Sequence, residues 1–284
     1  MKTMSTTSHP TSEHLWPVTP LTADLTPSLP HLAIWRIPLD ADLDLEEILG
    51  ARARFALSDE EIARARRYVR ASHGSLWAQS RAATRHILAA YTHTDPLDLT
   101  FVISARGKPS LHPRRPPHLV TFNLSHSGAM ALLGVHVTRH PPGEQEEDAP
   151  PVKLGVDTER VDFRRDLHGI ARRVFSPAEQ AALQDAPDDL ARRDRFYAIW
   201  TQKEAYIKAL GEGMHLPLES FDVSHDLCDA RLLDMRHEGA SPPSSWAMIG
   251  GWLGARAYPF ALCMPRASFD LAQRSKHTYP TKSV

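Results

Sequence analysis

Hydrophobic and polar positions first fall into a regular pattern at Ala33-Ile34-Trp35-Arg36-Ile37, whose alternation predicts a strand. Helix starts follow at Ser58-Asp59-Glu60-Glu61 and at Ser176-Pro177-Ala178-Glu179. Each reads as a capping box, in which the serine accepts from an orphan first-turn amide and the glutamate bonds back to the cap amide. Pro177 suits the first helical position. Between Phe196 and Gly213, the residues Tyr197, Trp200 and Ile207 mark a buried helical stripe, and Gly211 supplies a stop. Leu154–Val161 reads as a strand, so Asp157 and Glu159, two apart, project to the same side.

Three strings recur in the same order. Ser58–Glu61 parallels Ser176–Glu179, Leu76–Ala82 parallels Ile199–Ala205, and Phe122–His126 parallels Phe221–His225. They predict an α+β fold built from a duplicated unit: two similar lobes at 31–138 and 152–270, with a ligand cleft between them. In this alignment Arg81 and Arg85 stand opposite Glu204 and Lys208. Residues 1–30 hold five Pro, seven Thr and four Ser and cannot bury a core, so they are expected as a flexible tail. The Pro-flanked acidic run at 139–151 is expected as an exposed linker, and 271–284 as a second flexible tail.

Composition narrows the function. The chain has 284 residues, 42% of them hydrophobic, as a globular protein has. Its two cysteines are too few for a disulfide framework or a cysteine zinc site. No apolar run approaches the roughly 18–20 residues that span a bilayer, and the first residues lack the apolar core of a secretion signal. A cytoplasmic protein with no membrane partner is expected. The net charge of −1 conceals a basic stretch, since residues 51–120 carry 12 Lys and Arg against 5 Asp and Glu. That asymmetry points to an anionic ligand. Nucleic acid is not the expected one, because only Tyr68 and Trp77 interleave with the arginines of 51–85. Neither a P-loop nor a dinucleotide-binding glycine motif occurs, and the 16 histidines show no zinc spacing.

Three segments can carry chemistry. The Asp157–Glu159 pair suits a hard divalent cation, or is a solvated strand end. Glu204 and Lys208, four apart on a helix, share one face as a surface ion pair or as a metal ligand beside a phosphate contact. Asn123-Leu124-Ser125-His126-Ser127 offers hydroxyls, an imidazole and amides for a phosphate or nucleotide. Ser125 and His126 point to opposite sides of a strand and cannot pair as nucleophile and base, so a serine hydrolase is discounted. Taken singly, the plainer readings of the two acidic motifs prevail.

Together the motifs are specific. NLSHS (123–127), GVDTE (155–159), FS-x-x-E (175–179) and W-T-x-K-E-A-Y-x-K-x-x-G-x-G (200–213) resemble the 4′-phosphopantetheinyl transferase superfamily, and the W-x-x-K-E-A form is similar to its surfactin-synthetase-activating branch. The resemblance covers about 31–270. It implies a pseudo-dimeric monomer with coenzyme A in the interlobe cleft. It further implies Mg2+-dependent transfer of 4′-phosphopantetheine to a serine of an apo acyl or peptidyl carrier protein, releasing adenosine 3′,5′-bisphosphate. By the resemblance Asp157, Glu159 and Glu204 hold the metal, and Glu204 or a water deprotonates the serine. Lys208 contacts the phosphate and helps neutralise the leaving group. Lys108, Ser125 and His126 grip the nucleotide portion of coenzyme A, and Arg64 and Arg85 lie near its phosphates. Two positions depart from the pattern: Leu76 stands where many relatives carry arginine, and Glu61 where some carry lysine. Carrier recognition is expected near Phe175, Tyr197 and Tyr206. The competing reading is a non-catalytic relative that binds coenzyme A or a carrier.

Overall fold

The same order of elements runs twice along the chain in a computed structural model that describes residues 19–20, 32–51, 56–112, 118–139, 151–211 and 213–274. The first series is β2 (Leu32–Pro38), α1 (Leu45–Gly50), α2 (Asp59–Arg66), α3 (Ala71–Thr92), β3 (Thr100–Ile103), β4 (Pro109–His112), β5 (His118–Ser127) and β6 (Met130–Arg139). The second is β7 (Gly155–Thr158), α4 (Leu167–Val174), α5 (Pro177–Gln184), α6 (Asp189–Leu210), β8 (Phe221–Val223), β9 (Leu232–Met235), β10 (Trp246–Leu253) and β11 (Tyr258–Pro265). In both, the last strand lies between the first and the penultimate one, giving β2-β6-β5 and β7-β11-β10, while β3-β4 and β8-β9 form separate hairpins. All these pairings are antiparallel.

Helix α5 begins and ends 118 residues after α2, and α6 does so after α3. This constant offset corrects the alignment of strings. Leu76–Ala82 against Ile199–Ala205 is five residues out of register, and Phe122 lies on β5 whereas Phe221 lies on β8, whose counterpart is β3. Only the Ser58 and Ser176 boxes are equivalent. Arg85 therefore corresponds to Lys203, while His86 and Ala90 stand at the positions of Glu204 and Lys208.

That equivalence is physical. Ser58 Oγ accepts from the Glu61 amide at 3.3 Å and Ser176 Oγ from the Glu179 amide at 3.2 Å. Each capping glutamate then reaches the long helix. Glu61 pairs with Arg85 at 2.8 Å and with Arg81, and Glu179 pairs with Lys203 at 2.8 Å. The cations turn their remaining donors to carbonyls ahead of the hairpin, Arg85 to Pro96 and Leu99, Lys203 to Leu218 and Phe221. A buried charge persists only when paired and hydrogen-bonded, and both are.

The core of the first series gathers Ile37, Leu88, Phe122, Leu133 and Val135, and that of the second gathers Phe196, Tyr197, Tyr206, Phe221 and Trp246. A further cluster joins the two series, with Ile34 and Leu132 against Leu154, Val156 and Leu262. Each such aliphatic side chain contributes about 1.5–3 kcal/mol by burial.

Within the segment expected as a tail, Thr19–Pro20 forms β1 and pairs with Trp35 and Arg36 on the edge of β2. Helix α7 (Arg266–Arg274) carries regular structure into the expected second tail. The remaining residues of both tails, and 140–150 of the acidic linker, lie outside the described residues. No described helix is long and apolar enough to cross a membrane.

Candidate active site

Alternate side chains of β5 take the place of a partner strand along the free edge of β7. The Asn123 side-chain oxygen Oδ1 accepts from the Val156 amide at 2.7 Å, Ser125 Oγ from the Thr158 amide at 3.3 Å, and Ser127 Oγ from the Arg160 amide at 2.9 Å. Each serine also donates, Ser125 to Asp157 Oδ1 at 2.8 Å and Ser127 to Glu159 Oε2 at 3.0 Å. The hydroxyls thus hold the strand and aim its two carboxylates at once.

Helix α6 closes the other side. A Cβ on Gly155 would meet the Ala205 carbonyl oxygen at 2.0 Å and the Ala209 nitrogen at 2.3 Å, so α6 lies directly on the β7 backbone. This close approach brings Lys208 Nζ to 2.6 Å from Asp157 Oδ1 and 2.9 Å from Ser125 Oγ. Asp157 is 3% exposed, and its Oδ2 is buried with no hydrogen-bond partner. Glu159 Oε1 accepts from the Trp200 indole at 3.2 Å, and Arg165 stands 3.9 Å from Oε2.

Glu204 is half-buried one turn before Lys208. Burial, followed by the Asp157 charge and with Glu159 adding to it, pushes its carboxyl up to about 7, against the opposing pull of Lys208. Glu159 is also raised, first by burial and then by Asp157, with Ser127, Arg165 and Trp200 opposing. Poor solvation is the common first cause, and repulsion by the Asp157 carboxylate the second.

Glu204, Ile207 and Lys208 wall a cleft of about 260 Å3 together with Asn123, Leu124 and residues 106–109 of the β3–β4 hairpin. The first series supplies β5 and the hairpin, and the second supplies α6. Of the residues expected at the site, Glu204 and Lys208 line this cleft, Asp157 and Ser125 are bonded to Lys208, and Glu159 lies within electrostatic reach of Glu204.

Others are placed differently. The Lys108 ammonium turns from the cleft to the carbonyls of Leu154, Lys208 and Ala209. Burial, with the Lys153 charge second, lowers its pKa to about 8. Arg85 is 4% exposed and committed to Glu61, Pro96 and Leu99, so its guanidinium is occupied within the fold. Arg81 joins the same glutamate and stacks 3.7 Å from the Phe101 ring. Arg64 is exposed on α2, its guanidinium 5.0 Å from the Trp77 ring. The His126 side chain reaches the surface, and crowding by protein atoms, then the Lys208 charge, lowers its pKa. Phe175, Tyr197 and Tyr206 are each at most 2% exposed, so a carrier surface near them would be formed by other side chains.

Arg165 and Arg106 carry no sequence signal, while Ser127 and Trp200 belong to the 123–127 and 200–213 motifs without an assigned role. Serine alternation in Asn123-Leu-Ser125-His-Ser127 was the available signal for Ser127.

No group of three or more His, Cys, Asp or Glu among the described residues is arranged to hold a metal ion. The donor chemistry nonetheless fits a hard cation. Asp157 is bonded to Lys208, Asp157 and Glu159 both raise the Glu204 carboxyl, and the buried Asp157 Oδ2 is an acceptor without a donor.

A model of the 4′-phosphopantetheinyl transferase superfamily matches residues 153–263. The chain is 34% identical over 212 residues to the 4′-phosphopantetheinyl transferase HetI of Nostoc sp., covering 75% of this chain and 81% of that one. The chain belongs to the 4′-phosphopantetheinyl transferase superfamily. It is also 34% identical over 188 residues to a putative 4′-phosphopantetheinyl transferase of Synechocystis sp. (66% of this chain, 67% of that one). To the 4′-phosphopantetheinyl transferase Sfp of Bacillus subtilis it is 29% identical over 192 residues (68% and 76%). These likenesses agree with the surfactin-synthetase-activating branch. The family match takes in β7, Glu159 just after it, α6 and most of β11.

Proposed function

We propose that this protein transfers 4′-phosphopantetheine from coenzyme A to a serine hydroxyl of an apo carrier protein, acting as a cytoplasmic monomer and releasing adenosine 3′,5′-bisphosphate. The observation that carries the reading is the Lys208–Asp157 contact beside a cleft walled by both repeats, with Asp157 and Glu159 near enough to raise the Glu204 carboxyl.

Phosphoryl transfer asks chiefly for positioning and for neutralisation of oxygen charge. Lys208 carries a fixed positive charge at the cleft, held by Asp157 and Ser125, and is placed to neutralise the phosphate oxygens and the leaving group. Asp157, Glu159 and Glu204 are the residues that would hold Mg2+, which when bound supplies further neutralisation at the pyrophosphate. A serine hydroxyl is a weak nucleophile until its proton is removed. Without a cation the Glu204 carboxyl is raised to about 7; holding Mg2+ lowers its basicity, so it is proposed to take that proton directly or through a water. Arg64 and His126 are the groups proposed to meet the nucleotide end. Arg85 is left out of that set because it is buried and its Nε and Nη1 donors are taken by Glu61, Pro96 and Leu99. Retention of all three carboxylates and of Lys208 in the sequence supports turnover over coenzyme A binding alone.

The test is transfer of a fluorescent phosphopantetheine from labelled coenzyme A to an apo peptidyl carrier protein. Asp157→Ala, Glu159→Ala and Glu204→Ala are each expected to abolish labelling while melting as cooperatively as wild type. Full labelling by any of the three overturns its assigned role.

A further inference from the structure

Lys108 belongs to the β3–β4 hairpin of the first series, yet its ammonium lies on the second. It donates to the Leu154 carbonyl at 2.9 Å, closely to the carbonyl of Lys208, and to that of Ala209 at 3.5 Å. A lysine ammonium has three N–H donors and no acceptor, so these carbonyls occupy it fully. The stem crosses the end of α6, its Cδ 3.6 Å from where a Cβ would sit on Gly211.

The three acceptors are not arbitrary. Leu154 immediately precedes β7, three residues before Asp157. The carbonyls of Lys208 and Ala209 belong to the last turn of α6, where the helix leaves its oxygens without amide partners and its dipole favours a cation. One positive charge therefore ties the strand that bears Asp157 to the helix turn that bears Lys208. Gly155 lets the two elements touch, and Lys108 fixes how far along the strand the helix end sits. The 2.6 Å contact between Lys208 and Asp157 depends on that alignment.

We infer that Lys108 is a positioning residue that holds Lys208 against Asp157, rather than a ligand for the phosphates of the substrate. The inference rests on the transferase reading for its kinetic consequence, but its structural part stands apart from turnover. Removing the ammonium frees the last turn of α6 and leaves three carbonyls without a donor. The phosphate-binding surface of the cleft is otherwise untouched.

Two measurements on the full chain decide it. In steady-state transfer with coenzyme A and an apo carrier protein, Lys108→Met is expected to lower kcat by about tenfold with KM for coenzyme A changed by less than about threefold. Lys108→Arg, which can still donate to carbonyls, is expected to recover most of kcat. A KM raised about tenfold at unchanged kcat would mean that Lys108 contacts substrate, and wild-type values for both would mean that it does nothing; either overturns the inference. Hydrogen exchange is the second measurement and needs no turnover. Amides at 207–211 are expected to lose protection in Lys108→Met while those at 193–199 keep theirs, and unchanged protection at 207–211 overturns the inference. An inactive wild type would count against the transferase reading, and the exchange result would still judge Lys108. Should Lys108→Met fail to fold, Lys108→Gln, which retains one donor group, is expected to give the same pattern at smaller amplitude.

Discussion

Replacing Gly155 by alanine tests the contact on which the site geometry depends. The added Cβ would lie 2.0 Å from the Ala205 carbonyl oxygen, 2.3 Å from the Ala209 nitrogen and 2.9 Å from the Lys208 carbonyl carbon. Favourable separations between such heavy atoms are about 3.5–4.0 Å. Every obstacle is backbone, so no side chain can swing aside, and α6 must move off β7 by more than about 1 Å. Overpacking of a tight core costs about 1–3 kcal/mol. The loss of unfolded-state freedom on going from glycine to alanine returns only about 0.4–1 kcal/mol. The clash wins, and a net loss of about 2 kcal/mol lowers Tm by roughly 4–8 °C for a chain of this size. The effect on chemistry is larger, because a displacement of about 1 Å at a reacting centre costs on the order of a hundredfold in rate. Thermal unfolding by circular dichroism and transfer kinetics are to be measured on the same preparation. A variant with wild-type Tm and kcat would show that α6 does not need the β7 backbone beneath it, and the account of how Lys208 reaches Asp157 would fail.

Glu204→Gln should raise stability in metal-free buffer, and only at the upper end of the pH range. The carboxyl is held near 7 against an ordinary 4.5, so the folded state favours its neutral form, and wild type loses stability as pH rises between those values. Allowing for partial solvent access, about 1–2 kcal/mol is at stake. Melting curves that coincide near pH 4 and separate by several degrees at pH 8, with the variant higher, are expected; coincidence at pH 8 would refute the raised pKa. Lys203→Met should cost about 3–5 kcal/mol in urea unfolding, because Glu179 loses its buried partner, and Glu179→Gln added to it should recover part of the loss. No recovery would mean that the pair is not coupled. Ser127→Ala removes a donor from Glu159 and an acceptor from the Arg160 amide, for a stability loss of about 1 kcal/mol. Its kcat should fall about tenfold, and unchanged kcat would remove Ser127 from the machinery.

Local signals were legible in the sequence because their physics is local. Both capping boxes form as their spacing demands, Gly211 ends α6 at a φ of 75°, and Ala33–Ile37 lies within β2. Asp157 and Glu159 face one way because strand geometry requires it, and Glu204 and Lys208 do so because a helix does. What the sequence concealed depends on which elements meet. That Ser125 and Ser127 bind carboxylates 32 residues away follows from β5 abutting the free edge of β7, a contact no short-range pattern encodes. The resemblance put Arg85 and Lys108 beside the nucleotide, and sequence does not disclose which protein groups a charge meets. In the fold Glu61 takes the first and the α6 carbonyls the second. The duplication itself was readable, but similar strings suggested a wrong alignment. The constant spacing of α2 and α3 from α5 and α6 corrects it, and explains why the first repeat, with His86 and Ala90 in place of Glu204 and Lys208, carries no second copy of the site.

The most direct measurement is the intact mass of a purified apo acyl or peptidyl carrier protein after incubation with this protein, coenzyme A and Mg2+, alongside samples with EDTA and with Glu204→Ala. The account predicts a gain of one phosphopantetheine unit on the carrier, absent from both controls. An unchanged mass on several unrelated carriers, with coenzyme A still bound by the protein, would contradict it and leave a binding protein in place of an enzyme.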